Sequence, residues 1–162
     1  MFWFKSAKEK HAEVKIKFLI PQVKRILEES LRIINSTENI KTGISRFETI
    51  KTLIRQLFDE IPEGEIEKYL KEFSMKISVN DHDIKSCNDL KIVDDAKNQW
   101  VEKMVFDQIE NEKMKADALT EKKLKKQQMK KALKVALDSL DFLPESNALK
   151  GKISEIESEV ID

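Results

Sequence analysis

Ser45-Arg46-Phe47-Glu48-Thr49-Ile50-Lys51-Thr52-Leu53-Ile54-Arg55-Gln56-Leu57-Phe58-Asp59-Glu60-Ile61 is the stretch on which the fold turns. Phe47, Ile50, Ile54, Leu57, Phe58 and Ile61 return at steps of three and four, the period of an amphipathic α-helix, while charged and polar side chains fill the other face. Ser45 and Glu48 match a capping box, in which the Ser hydroxyl accepts from an amide three residues on and the Glu reaches back, so the helix is expected to begin there. Pro62-Glu63-Gly64 closes it.

Towards the N-terminus, Val23, Ile26, Leu27, Leu31 and Ile34 form a second stripe, ended by Asn35-Ser36-Thr37-Glu38-Asn39, whose short polar side chains compete with the helical ladder. Val14, Ile16, Phe18 and Ile20 alternate as a strand would. No partner strand of similar quality follows, so they are expected to form the first turns of a helix or an extended lead-in to Pro21. Residues 1–13 are expected to be a mobile or docked N-terminal segment. Towards the C-terminus, Ile66, Tyr69, Leu70, Phe73 and Ile77 supply a third stripe, completing a helical core over 14–78. A polar connection is expected over 79–89.

From Leu90 to Leu143 there is neither Pro nor Gly. Val93, Ala96, Trp100 and Met104, joined by Val101 and Val105, make a wide inner stripe. Met129, Leu133, Ala136 and Leu140 resume a regular seam of coiled-coil type. Helix formers dominate between, so one long helix is expected over 90–143, bent at most near 111–120. Pro144 stops it. Leu149, Ile153, Ile156 and Val160 then mark a short helix within an acidic tail, 144–162. The stretch Leu31 to Leu57, with Asn35-Ser36-Thr37 leading into Ser45-Arg46-Phe47, resembles a helix–loop–helix segment of bacterial and prophage proteins. The resemblance covers about a sixth of the chain and implies no activity.

Composition agrees with this all-α reading of a small helical bundle with a long C-terminal Lys-rich helix and a short terminal helix. Of 162 residues 37% are charged, against the ~25% usual in globular domains, and only 3 Gly and 3 Pro are present. The 30 basic and 30 acidic side chains cancel in total but not locally. Residues 1–34 sum to +4, 122–134 to +7 and 138–162 to −5, leaving −6 for 35–121. No signal-type apolar run follows a basic start and nothing approaches the length of a membrane span, so a cytoplasmic protein is expected. The single cysteine, Cys87, excludes an internal disulfide.

Chemistry-bearing constellations are sparse. Asp81-His82-Asp83 with Cys87 offers ligand atoms, but one His and one Cys in a loop fall short of a tetrahedral zinc set, and a polar turn is the expected reading. His11 lies among Lys and Glu and is expected to be exposed. Cys87 has no base at a spacing that would activate it. Phosphate loops, H-E-x-x-H, Glu-x-x-His and S-x-x-K are all missing. Accordingly no catalytic residue, metal or cofactor is assigned, and no small-molecule substrate is evident.

Two features stand out instead. Lys122, Lys123, Lys125, Lys126, Lys130, Lys131 and Lys134 would populate more than one face of a helix and suit an acidic partner or nucleic acid, although Arg and stacking aromatics are lacking. A face paired with the acidic tail or the acidic middle is the plainer expectation. Phe2-Trp3-Phe4 is expected to dock within the bundle or on a partner, in preference to a membrane surface. The expected function is a non-enzymatic protein–protein interaction or scaffold module, acting on a protein partner or a second copy. The alternative is a nucleic-acid-binding accessory protein using 122–134.

Overall fold

In the computed structural model, residues 7–60, 78–79, 82–83 and 90–161 are described. The fold is all-α, a small helical bundle of five described helices. The chain divides into two compact units, residues 1–97 and 98–162.

In the first unit, α1 runs Ala7–Ser36 and contains Pro21. Residues 7–13, expected as a separate N-terminal segment, are therefore part of this helix. The alternating Val14–Ile20 stretch is helical too, and its period of two has a physical consequence. Residues two apart on a helix lie about 200° apart, so Val14 and Phe18 face water while Ile20 is buried. Pro21 is exposed, where water can solvate the carbonyl that its missing N–H leaves free. Val23, Leu27 and Ile34 continue the buried stripe.

α1 ends where the polar run predicts. The Ser36 hydroxyl donates back to the Arg32 carbonyl at 2.9 Å, and Thr37 N–H donates to Ile33 O at 2.8 Å. The helix α2, Ile40–Glu60, then starts five residues before the expected capping box. Its cap is Asn39, whose side-chain oxygen accepts from Thr42 N–H at 3.0 Å. Ser45 instead lies inside the helix, its carbonyl accepting from the Thr49 hydroxyl at 3.1 Å. A carboxamide one residue before the helix serves the free amides of the first turn. Ile40 and Gly43 are buried, so the added turn covers apolar surface. α1 packs against α2, and Phe47, Ile50, Ile54 and Leu57 are all buried as the stripe predicts. The Phe58 side chain, Ile61 and the expected third stripe from Ile66 to Ile77 lie outside the described residues.

Where the expected helical core meets the polar connection, the backbone makes a small antiparallel pairing, β1 (Ser78–Val79) with β2 (His82–Asp83), in the register Ser78 to Asp83 and Val79 to His82. Helix α3, Leu90–Asp117, follows. Its first two turns complete the first unit through buried Val93 and Ala96.

The second unit corrects the expectation of one helix over 90–143. α3 stops at Asp117, Ala118–Glu121 form a turn, and α4 begins afresh as Lys122–Asp138. Neither Gly nor Pro causes the break. Val101, Val105, Ile109 and Ala116 of α3 are buried, as are Met129, Ala132 and Ala136 of α4. A straight rod would leave those faces in water, and the side chain of Gln128 hydrogen-bonds across to Glu112. A 3₁₀ turn, Ser139–Asp141, leads through Pro144 to α5, Asn147–Val160. The Ser146 hydroxyl caps α5 by accepting from Leu149 N–H at 3.1 Å. α4 packs on α5, which buries Leu149, Ile153 and Ile156.

Two stability outcomes follow. Asn39→Ala should cost about 1 kcal/mol, whereas Ser45→Ala should stay within about 0.5 kcal/mol of the parent; denaturant titration of both distinguishes the two caps. Gly151 sits inside α5 with nothing within 4 Å of where a Cβ would lie. Gly151→Ala should therefore stabilise by about 0.5–1 kcal/mol, read as a higher thermal midpoint.

Candidate interaction surface

The seven lysines singled out in the sequence all lie on α4, or at its first residue. They do not share one environment. Lys123, Lys130 and Lys134 fall on one line along the helix and span about 16 Å; all three are exposed. Lys131 is also exposed, further round the cylinder. Lys122 and Lys125 project from the first turn, ahead of the buried stripe that starts at Met129, and are exposed for that reason. Lys126 is half-buried and engaged. Leu124 and Leu137 edge the basic surface, exposed to 44% and 43%.

Where the other charges go gives this surface its meaning. In the first unit, the Lys51 ammonium donates to Asp94 at 2.9 Å, and Lys97 bridges Asp94 at 3.8 Å and Glu48 at 3.4 Å, tying α2 to the start of α3. In the second unit a similar alternating chain joins α3 and α5. Lys113 pairs with Glu155 at 3.2 Å, while Lys152 pairs with Glu110 and lies 3.9 Å from Glu155. The tail glutamate Glu155 thus meets Lys113 and Lys152, not the lysines of α4. Among the described residues, Lys122, Lys123, Lys125, Lys130, Lys131 and Lys134 have no ion-pair partner within 4.0 Å.

These contacts shift titrations. The hydrogen bond from Lys152 holds the Glu110 carboxyl below its ordinary range, outweighing burial, with the fields of Lys152 and Lys113 adding to it. Glu112 is lowered first by its bond from Lys115, against burial, then by Gln128 and the charges of Lys115 and Lys131. Lys131 therefore contributes charge to Glu112 across the α3–α4 turn without a direct pair. For Lys113, burial pulls the ammonium down, but the bond to Glu155 and the fields of Glu155, Glu110 and Glu159 prevail and raise it.

The first turn of α4 contains no acid. Glu121 stands at its cap position without a side-chain bond to the free amides. A helix N-terminus carries roughly half a positive charge, so cations there are unfavourable, typically by about 0.3–1 kcal/mol each. Lys122, Lys123 and Lys125 thus sit where folding alone would prefer Asp or Glu.

His11 is exposed on α1. His82 belongs to β2. Phe2, Trp3, Phe4 and Cys87 lie outside the described residues. Among the described residues no group of three or more His, Cys, Asp or Glu is placed to hold a metal ion, and no helix is long and apolar enough to cross a membrane. Ser30 and Ser139 are buried; Ser139 donates to Val135 O at 2.7 Å, while the Ser30 hydroxyl has no partner. Compared with known protein families, curated proteins and solved structures, the chain matches none. The resemblance noted for Leu31 to Leu57 thus rests on the sequence pattern alone.

The lowered carboxyls carry a pH dependence of definite sign. Their folded-state values lie below the ordinary 4.5, so their stabilisation is complete above that value and disappears as pH falls through the lowered ones. Both carboxylates are partly exposed, and solvent screening limits each contribution to about 0–1 kcal/mol. Thermal unfolding followed from pH 6 to about pH 3 should show a falling midpoint, and Glu110→Gln with Glu112→Gln should flatten that fall.

Proposed function

We propose that this chain is a non-enzymatic interaction module whose α4 receives an acidic segment of a protein partner. The observation that carries the reading is the clustering in the first turn of α4 of exposed lysines that have no ion-pair partner among the described residues, where they oppose the helix dipole and one another. Charge that disfavours the folded state is charge held ready for something outside the fold. The polar side chains buried among the described residues are two serines, and the paired acids and bases lie between helices, where they hold helix to helix.

A protein partner suits the surface better than a phosphate backbone. α4 contains no Arg for bidentate phosphate contacts and no aromatic side chain for stacking on bases. Leu124 and Leu137 add apolar contact at its edges, which an acidic amphipathic segment can cover and a phosphodiester chain cannot.

The test measures stability and binding on the same variants, using a polyglutamate peptide and duplex DNA of equal formal charge as probes in fluorescence anisotropy. Lys122→Glu with Lys123→Glu should raise the thermal midpoint and weaken polyglutamate binding about tenfold, the signature of residues kept for contact at the expense of stability. Lys130→Ala with Lys134→Ala should weaken binding with little change in stability. No binding of either probe at low salt would overturn the proposal. Tighter binding to DNA, with a steep salt slope lost in the same variants, would replace it with the nucleic-acid reading.

A further inference from the structure

A second exposed surface lies on the N-terminal half of α1, in the first unit. Phe18 is 71% exposed and Val14 54%, and exposed Pro21 continues their line one turn on. The opposite face of the same helix, from Ile20 through Val23 and Leu27, is buried, so the outward line has no part in the core. Exposed Lys10, Lys17, Lys24 and Arg25 accompany it. From Val14 to Leu27 the sequence contains no acid at all. Glu13, just before, is half-buried and already engaged.

We infer that this face of α1 seats the protein on an anionic phospholipid surface. A single convex line of apolar side chains flanked by long basic ones offers no groove for another helix. It does match a planar boundary that is oily below and negatively charged above. Phe18 and Val14 can enter the acyl edge while the lysine stems lie along it and their ammonium groups stay at headgroup level. Because the other face of α1 is buried in the protein, insertion is shallow and attachment reversible. This surface is independent of the one on α4: different residues carry it and a different ligand reads it.

Co-sedimentation of the full chain with vesicles decides the matter. Vesicles of phosphatidylcholine alone should retain almost none, and vesicles with about 30% phosphatidylserine should retain a clear fraction, released several-fold on going from about 0.1 M to about 0.5 M salt. Val14→Ser with Phe18→Ser should cut retention about tenfold, and Lys17→Glu with Lys24→Glu should do the same. All four positions are exposed, and circular dichroism verifies that each variant is folded. The α4 variant Lys130→Ala with Lys134→Ala should bind vesicles like the parent. The inference is overturned if anionic vesicles retain no protein, if the Val14/Phe18 variant binds as well as the parent, or if binding is lost with the α4 change instead. It is equally overturned if those two apolar substitutions abolish self-association in analytical ultracentrifugation while vesicle binding is absent, since the face would then belong to a second copy.

Discussion

The described helices carry apolar stripes among many charges, and a stripe contributes nothing until another covers it. Fully burying an Ile, Leu or Val side chain yields roughly 1.5–3 kcal/mol. Ordering one residue of backbone costs about 1–2 kcal/mol. Isolated helices of this composition are therefore marginal in water, and packing supplies what propensity cannot. The turn at Ala118–Glu121 is the clearest consequence. Residues with strong helix preference lie on both sides of it, yet the helix ends, and Ile109 and Ala116 on one segment and Met129 and Ala132 on the next are all buried. Small Ala132 and Ala136 keep the buried line of α4 slim, which suits close packing on α5.

Charge is arranged around those stripes, not inside them. Lys51, Asp94, Lys97 and Glu48 alternate in sign between α2 and α3, and Glu110, Lys152, Glu155 and Lys113 do so between α3 and α5. Individually such solvent-exposed pairs contribute only about 0–1 kcal/mol. Their larger effect is on register, since sliding one helix by a turn would set like charges opposite each other. The apolar stripes thus determine that helices meet, and the ionic chains select how they meet.

Residue spacing made the stripes legible, and little else. Phe47, Ile50, Ile54 and Leu57, and again Leu149, Ile153 and Ile156, are buried as their period requires, because any helix must cover a face with that periodicity. The start of α2 was not legible in the same way. Ser45 with Glu48 and Asn39 with Thr42 are both sound caps locally, and burial of Ile40 decides between them. The same limit applied to α3 and α4: a break made by distant packing leaves no Gly or Pro behind to announce it. For the lysine cluster, composition displayed the charge but not its availability. A tail of opposite sign looked like its natural partner, and only the geometry assigns Glu155 to Lys113 and Lys152 instead.

What folding does not require is the best guide to what the molecule does. Glu in place of Lys122 or Lys123 would suit the start of α4 better by the helix dipole and would be as good a helix former. Ser in place of Phe18 would remove an exposed aromatic side chain without opening the core. Neither substitution threatens a buried contact, and the first would relieve a repulsion. Among the described residues, two of the exceptions to this pattern of covered stripes and alternating ion pairs are exposed helix faces, one basic at the head of α4 and one basic and apolar on α1. The interior accounts for neither face, which is what motivates the proposals of an acidic partner for one and an anionic lipid surface for the other.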